Sequence, residues 1–356
     1  MGALQFKDVR LLVICVLLSA VAGGLDAHPV GTVIPFVAAG LALAALASLV
    51  GRCVDALGDS LGAGATGVVQ SALGNLPELF VCLFALNKGL DEVVRGAIVG
   101  SVLSNVLLVL GLAFIVGGVK NGTQKFDAER ARSTGLLLLL AVSAFLLPAL
   151  TFALHTPARG HEVAFSRVVA IVLLVLFALS LPAALKRTAG GEHDAATDFS
   201  GEAHEWPMGL AIGLLALSGV GAAFVSDWFV NALTPATTSL GISQSFAGLV
   251  IVSIAGNAVE NVVGIQLAAK GRADYALSVI LQSPLQIVLV LAPVLVLVAP
   301  LVGAPFTLVL SPLLIAVLVI AVLVTVVVVF DAESTWLEGA ALVGLYVISA
   351  TAFFWG

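Results

Sequence analysis

Ser71-Ala72-Leu73-Gly74-Asn75-Leu76-Pro77-Glu78 returns 182 residues later as Ser253-Ile254-Ala255-Gly256-Asn257-Ala258-Val259-Glu260. The same offset carries Ser101 onto Ser283, Leu103 onto Leu285 and Ser104 onto Gln286. Ser, Gly, Asn and Glu keep their places in both copies, so the chain reads as an internal duplication. In each copy Ser, Asn and Glu fall at i, i+4 and i+7, which is one face of a helix.

That face runs through apolar text. Hydrophobic residues make up 60% of the 356 and charged residues only 10%, against about 25% charged in an average soluble chain. A soluble protein of this length needs a charged surface, and 15 Lys and Arg with 21 Asp and Glu cannot cover one. The lipid bilayer is therefore the expected solvent. The formal charge of -6 comes with no basic run, which excludes a nucleic-acid partner. Cys15, Cys53 and Cys82 form no CxxC pair or disulfide framework and read as small buried hydrophobes.

A membrane-crossing helix needs about 20 apolar residues. Eleven segments meet that need, near 10–25, 30–51, 63–88, 92–118, 133–154, 165–186, 207–232, 243–270, 273–302, 305–330 and 334–355. The first resembles a signal peptide, but Leu25-Asp26-Ala27-His28-Pro29 is a poor cleavage site, so it reads as a retained helix. With the N-terminus inside, only Lys88, Arg95, Arg159 and Arg167 of the 15 basic residues fall on the outer side. That bias predicts a cytoplasmic N-terminus and an external C-terminus.

The expected fold is an all-α polytopic membrane protein of about 11 transmembrane helices. Residues 1–27 are an extra N-terminal helix, 28–187 and 207–356 are five-helix repeats, and 188–206 is an acidic cytoplasmic linker. An odd number of helices per repeat forces the two copies into opposite orientations, a recurring transporter design with the site between them. The linker carries Glu192, Asp194, Asp198, Glu202 and Glu205 and reads either as a solvated connector or as a cation-sensing segment.

Glu78 and Glu260 lie near the middle of the third and eighth segments. A carboxylate at that depth costs about 2.5–3.5 kcal/mol on insertion scales, so it marks a functional site. Pro77 cannot donate an N–H, while Gly74 and Gly256 permit local unwinding, so backbone carbonyls become available beside each Glu. Calcium takes six to eight oxygens of this kind. The candidate ligand set is Glu78, Glu260, Asn75, Asn257, Gly74, Gly256, Ser101, Ser283 and Gln286. Asp227, toward the outer end of the seventh segment, is added as an interfacial acid. Ser101, Ser104 and Asn105 mark the fourth segment, and Gln282, Ser283 and Gln286 the ninth; these polar residues either gate the ion or bond helices together. Asp55 and Asp59 read as helix-end charges or an entrance funnel. All five His fall in loops, so a Ser–His hydrolase or HExxH metalloprotease is excluded within the bilayer.

GNLPEL at 74–79 and GNAVEN at 256–261 resemble the paired GNxxE motifs of the calcium/cation antiporter superfamily, in its proton-coupled (CAX) branch. GSVLSNVLLVLGLAFIVGG at 100–118, GISQSFAGLVIVSIAGN at 241–257 and LQSPLQIVLVLAP at 281–293 are similar to the text around those motifs. The GTSxPE-like text of sodium/calcium exchangers does not occur here. The resemblance implies eleven helices, an acidic segment between the sixth and seventh, and an ion site between Glu78 and Glu260. It carries over Asn75, Asn257 and the acidic position at Asp227. Asn261 stands where that branch often has His, and Pro77 where it often has a small or polar residue.

The expected activity is exchange of Ca2+ or a related divalent cation for H+, with no resident cofactor and no enzymatic step. Sodium-coupled or monovalent exchange on the same fold is the alternative, and an acid-ringed channel a further one. The short N-terminus and Ala/Val/Leu-rich text suggest a prokaryotic cell membrane.

Overall fold

The computed structural model describes residues 5–61, 73–189 and 206–355. The side chains of residues 58–61, 182–189, 259 and 260 also lie outside that description, as do Ser71, Asp59 and the acidic linker. The described helices are α1 (Phe6–Ala27), α2 (Val33–Leu61), α3 (Leu76–Asn87), α4 (Asp91–Asn121), α5 (Ala128–Ala153) and α6 (Glu162–Ala189). They continue with α7 (Met208–Leu240), α8 (Gln244–Gly256), α9 (Ala258–Ala269), α10 (Ala273–Val302), α11 (Pro312–Val328) and α12 (Trp336–Phe354).

This is a helical, polytopic membrane fold. Among the described residues eight helices are long and apolar enough to cross a bilayer, or nine if α8 and α9 form one span broken by a 63° bend. Eleven spans were expected; α3 and α11 are apolar but shorter. The tenth expected segment loses its first residues because Gly303, at φ 77°, turns the chain out of α10. Helix α11 then begins at Pro312, with Ser311 accepting from Leu314 N–H. Proline tolerates this first-turn place, where its missing N–H would have no helical partner anyway.

The offset of 182 reappears in the helix boundaries. It separates both ends of α3 from those of α9, and the start of α4 from that of α10. Both α4 and α10 widen into π-helical turns, over Ser104–Val109 and Ile287–Leu291. Such turns re-aim the side chains beside them.

Helix α4 lies at the centre: 72% of its most apolar stretch is buried, against 17% for α1, which presents Val16 and Leu17 outward. Small residues bring the central helices together. A Cβ on Gly100 of α4 would lie 2.1 Å from the carbonyl of Leu249, and one on Gly248 2.1 Å from that of Val93. Where lipid supplies no hydrophobic drive between helices, such backbone approach supplies the packing. Gly111 and Gly339 do the same for α4 and α12.

Polar staples hold α1 at both ends. Near its start, buried Asp8 accepts from Arg52 of α2, from its own Gln5 N–H at 3.0 Å and from the Trp206 indole at 3.3 Å. Near its end, Asp26 accepts from Asn231 of α7 at 3.4 Å. A two-stranded ribbon, β1 (Gln124–Lys125) against β2 (Glu333–Ser334), ties the α4–α5 loop to the α11–α12 loop.

Candidate ion site

Two helix breaks build the site. Asn75 and Asn257 each cap the helix that follows them, at φ −97°, ψ 19° and φ −105°, ψ 22°. A glycine precedes each Asn, and at the second break the backbone N–H and the side chain of Asn257 both donate to Ser253 O, at 3.1 and 2.9 Å. In the second copy the expected unbroken helical face for Ser253, Asn257 and Glu260 is corrected, because the helix ends at Asn257; Asn75 likewise stands at a break, while Ser71 lies outside the described residues.

Glu78 consequently sits in the first turn of α3, and Glu260 is likewise the third residue of α9. Helix N-termini carry partial positive charge that favours a carboxylate. Pro77 occupies the first turn of α3, where it breaks no hydrogen bond. The carboxylate of Glu260 lies outside the described residues.

Glu78 is 2% exposed. Its Oε1 accepts from the hydroxyl of Ser101 on α4, and Ser101 Oγ accepts from Asn257 Nδ2 at 3.1 Å. Asn257 Oδ1 accepts from Ser283 of α10 at 2.9 Å and from Asn105 of α4 at 3.4 Å. Asn75 donates to Gln286 Oε1 of α10 at 3.3 Å. Each Asn therefore reaches into the polar helix of the other half. Gly256 lies against Glu78, whose Cδ is 3.6 Å from where a Cβ would stand.

Seven sequence candidates thus gather directly: Glu78, Asn75, Asn257, Ser101, Ser283, Gln286 and Gly256. Gly74 is in the turn beside Asn75. Among the described residues Asp227 pairs with Lys88, just past the end of α3, at 3.0 Å and accepts from Asn231 at 3.4 Å. Asp227 also rims an apolar cavity of about 640 Å³ between α3 and α7, walled by Phe80, Phe84 and Leu215. That cavity offers almost no oxygen ligands and is not the site.

Ser226, beside Asp227, was not anticipated. It is buried and donates to Pro77 O at 3.4 Å. A lone Ser in an apolar helix carries no sequence signal of that contact. Asn105 was recognised only as a polar mark, yet it touches both halves of the network.

The chemistry is that of a hard cation: a buried carboxylate surrounded by hydroxyl and amide oxygens. Among the described residues no group of three or more His, Cys, Asp or Glu is placed to hold a metal.

Residues 32–186 and 210–355 each match the family described as sodium/calcium exchanger protein. A Ca(2+)/H(+) antiporter of Aphanothece halophytica is 33% identical over 335 residues, covering 90% of this chain and 89% of that one. The Ca(2+)/H(+) antiporter ChaA of Bacillus subtilis is 33% identical over 311 residues, covering 87% and 89%. The solved structure of native YfkE superposes with a TM-score of 0.80 at 30% identity, covering 96% of this chain and 99% of that one.

Proposed function

The chain belongs to the sodium/calcium exchanger protein family, and on that premise we propose that it exchanges Ca2+ or a related divalent cation for H+. One observation carries the reading: Glu78, 2% exposed, is held by Ser101, which is itself held by Asn257 of the other half. Relatives that the chain covers over 89% of their own length are Ca(2+)/H(+) antiporters, which supports protons as the counter-ion.

In this reading Glu78 and Glu260 share the site with Asn75, Asn257, Ser101, Ser283, Gln286 and the backbone at Gly74 and Gly256. In this mechanism the two carboxylates act as a coupled pair that holds either protons or the ion. A divalent ion displaces their protons on one side of the membrane, and protons displace the ion on the other. The empty site with both carboxylates charged does not cross, which couples the two fluxes. Residues 28–187 and 207–356 act as the two repeats, supported by the shared offset of α3 and α9 and by the double family match. The membrane is a prokaryotic cell membrane with the N-terminus inside, and calcium export is the task.

The test is calcium uptake into proteoliposomes under an imposed pH gradient without sodium, comparing wild type with Glu260→Gln. Gradient-driven uptake that the variant lacks is expected. Uptake that starts only when sodium is supplied would move the chain to sodium coupling.

A further inference from the structure

The two halves of the site are not equivalent, and one residue makes them unequal. Asn105 is fully buried at the start of the π-helical turn of α4. Its counterpart at the repeat offset is Ile287. Asn105 Nδ2 donates to Ser101 O at 2.8 Å and lies 3.3 Å from Ser283 Oγ and 3.4 Å from Asn257 Oδ1. Its Oδ1 is buried and has no partner among the described residues.

Hydrogen counting gives the chain a direction. A hydroxyl has one hydrogen to donate, and an amide NH2 only donates. Asn257 Nδ2 fills a lone pair of Ser101, so the Ser101 hydrogen goes to Glu78. One Asn105 Nδ2 hydrogen goes to Ser101 O and the other is shared between Ser283 Oγ and Asn257 Oδ1, while the Ser283 hydrogen goes to Asn257 Oδ1. Turning the Asn257 amide by 180° would set its oxygen against Ser253 O and its NH2 against that of Asn105. Both contacts would be repulsive. Asn105 and the Ser253 carbonyl therefore hold Asn257 in one orientation from opposite ends.

We propose that Asn105 is a positioning residue for exchange, which orients Asn257 and so commits the hydroxyl of Ser101 to Glu78 while withholding that of Ser283. The idea rests on the reading above in which Glu78 holds the cation. Ile287 supplies no such donor to the other half, so the cation depends on Ser101 more than on Ser283.

The experiment compares wild type, Asn105→Leu, Ser101→Ala and the double variant in pH-driven calcium uptake. Asn105→Leu is expected to raise the calcium KM about ten-fold, the size of one net hydrogen bond, with kcat within about three-fold. In the Ser101→Ala background the same change is expected to add less than about two-fold, because its route to Glu78 is already gone. Ser283→Ala is expected to raise KM less than Ser101→Ala does. Full additivity, an unchanged KM in Asn105→Leu, or a larger effect from Ser283→Ala would overturn the proposal. If Asn105→Leu does not fold, Asn105→Thr, which cannot span to Asn257, takes its place in the same cycle.

A wild type without pH-driven uptake would overturn the exchange reading instead. In that case thermal midpoints of the same four purified proteins without cation still decide the orienting role. Coupling between the two substitutions upholds it, and independent shifts overturn it.

Discussion

Asn257 donates its amide N–H to the hydroxyl of Ser101 at 3.1 Å across 156 residues of sequence, and that hydroxyl in turn donates to Glu78. This oxygen is one of the points at which the two halves of the chain meet, beside the Asn75–Gln286 and Asn105–Asn257 contacts. Ser101→Ala removes one acceptor from Asn257 and one charge-assisted donor from Glu78. Bonds to charged groups contribute about 1.5–3 kcal/mol, so apparent calcium affinity should fall about ten-fold to a hundred-fold. The calcium dependence of pH-driven uptake measures it, and an unchanged KM would count against the network.

Glu78→Gln keeps the shape of the side chain and removes its charge. Exchange should be lost while the protein still purifies as a monodisperse species, because the amide can still accept from Ser101. Normal transport by this variant would sink the shared-carboxylate mechanism.

Gly100→Ala should damage the fold and not the chemistry. Its Cβ would sit 2.1 Å from the carbonyl of Leu249 and 2.5 Å from its Cα, so backbone must move. Overpacking of this kind costs about 1–3 kcal/mol, read as a lower thermal midpoint in detergent. Gly213→Ala, with nothing within 4 Å of its Cβ, is the control and should hold or raise that midpoint.

Arg52→Met leaves the carboxylate of Asp8, 3% exposed, without its cationic partner. Stranding a buried charge costs about 3–5 kcal/mol, and the partial exposure of Arg52 lowers the expectation to about 1–3 kcal/mol. Asp8→Asn, which removes the charge itself, should cost less. Thermal midpoints of the two variants check the order.

Asp227→Asn should leave the calcium KM within about two-fold, since Asp227 pairs with Lys88 at 3.0 Å on the half-exposed end of α3. Exposed pairs contribute about 0–1 kcal/mol to stability. A KM raised ten-fold would place Asp227 among the groups that hold the ion.

Much of the site was legible in the sequence because duplication writes the same residues twice. Glu78 stood out as a charge in apolar text, and Gly74 and Gly256 pointed to local unwinding, though the end of the helix at the Asn was not legible. The count of spans was less legible. Apolar text does not show where Gly303 turns a helix, nor that α3 is short. Asp8 carried no signal in the sequence, because the Arg52 and Trp206 that donate to it are far away along the chain.

The sequence by itself determined the solvent, the duplication and the acidic positions, since composition and spacing are local properties that no partner can alter. Only the tertiary structure decided which groups bond to which. Asn75 pairs with Gln286, and Asn257, besides its bonds to Ser253 and Ser283, pairs with Ser101 of the other half. That crossing follows from packing α4 against α8 at glycine distance, which a one-dimensional pattern does not encode. The role of Asn105 was decided the same way, because a hydrogen-bond direction exists only once three helices have met.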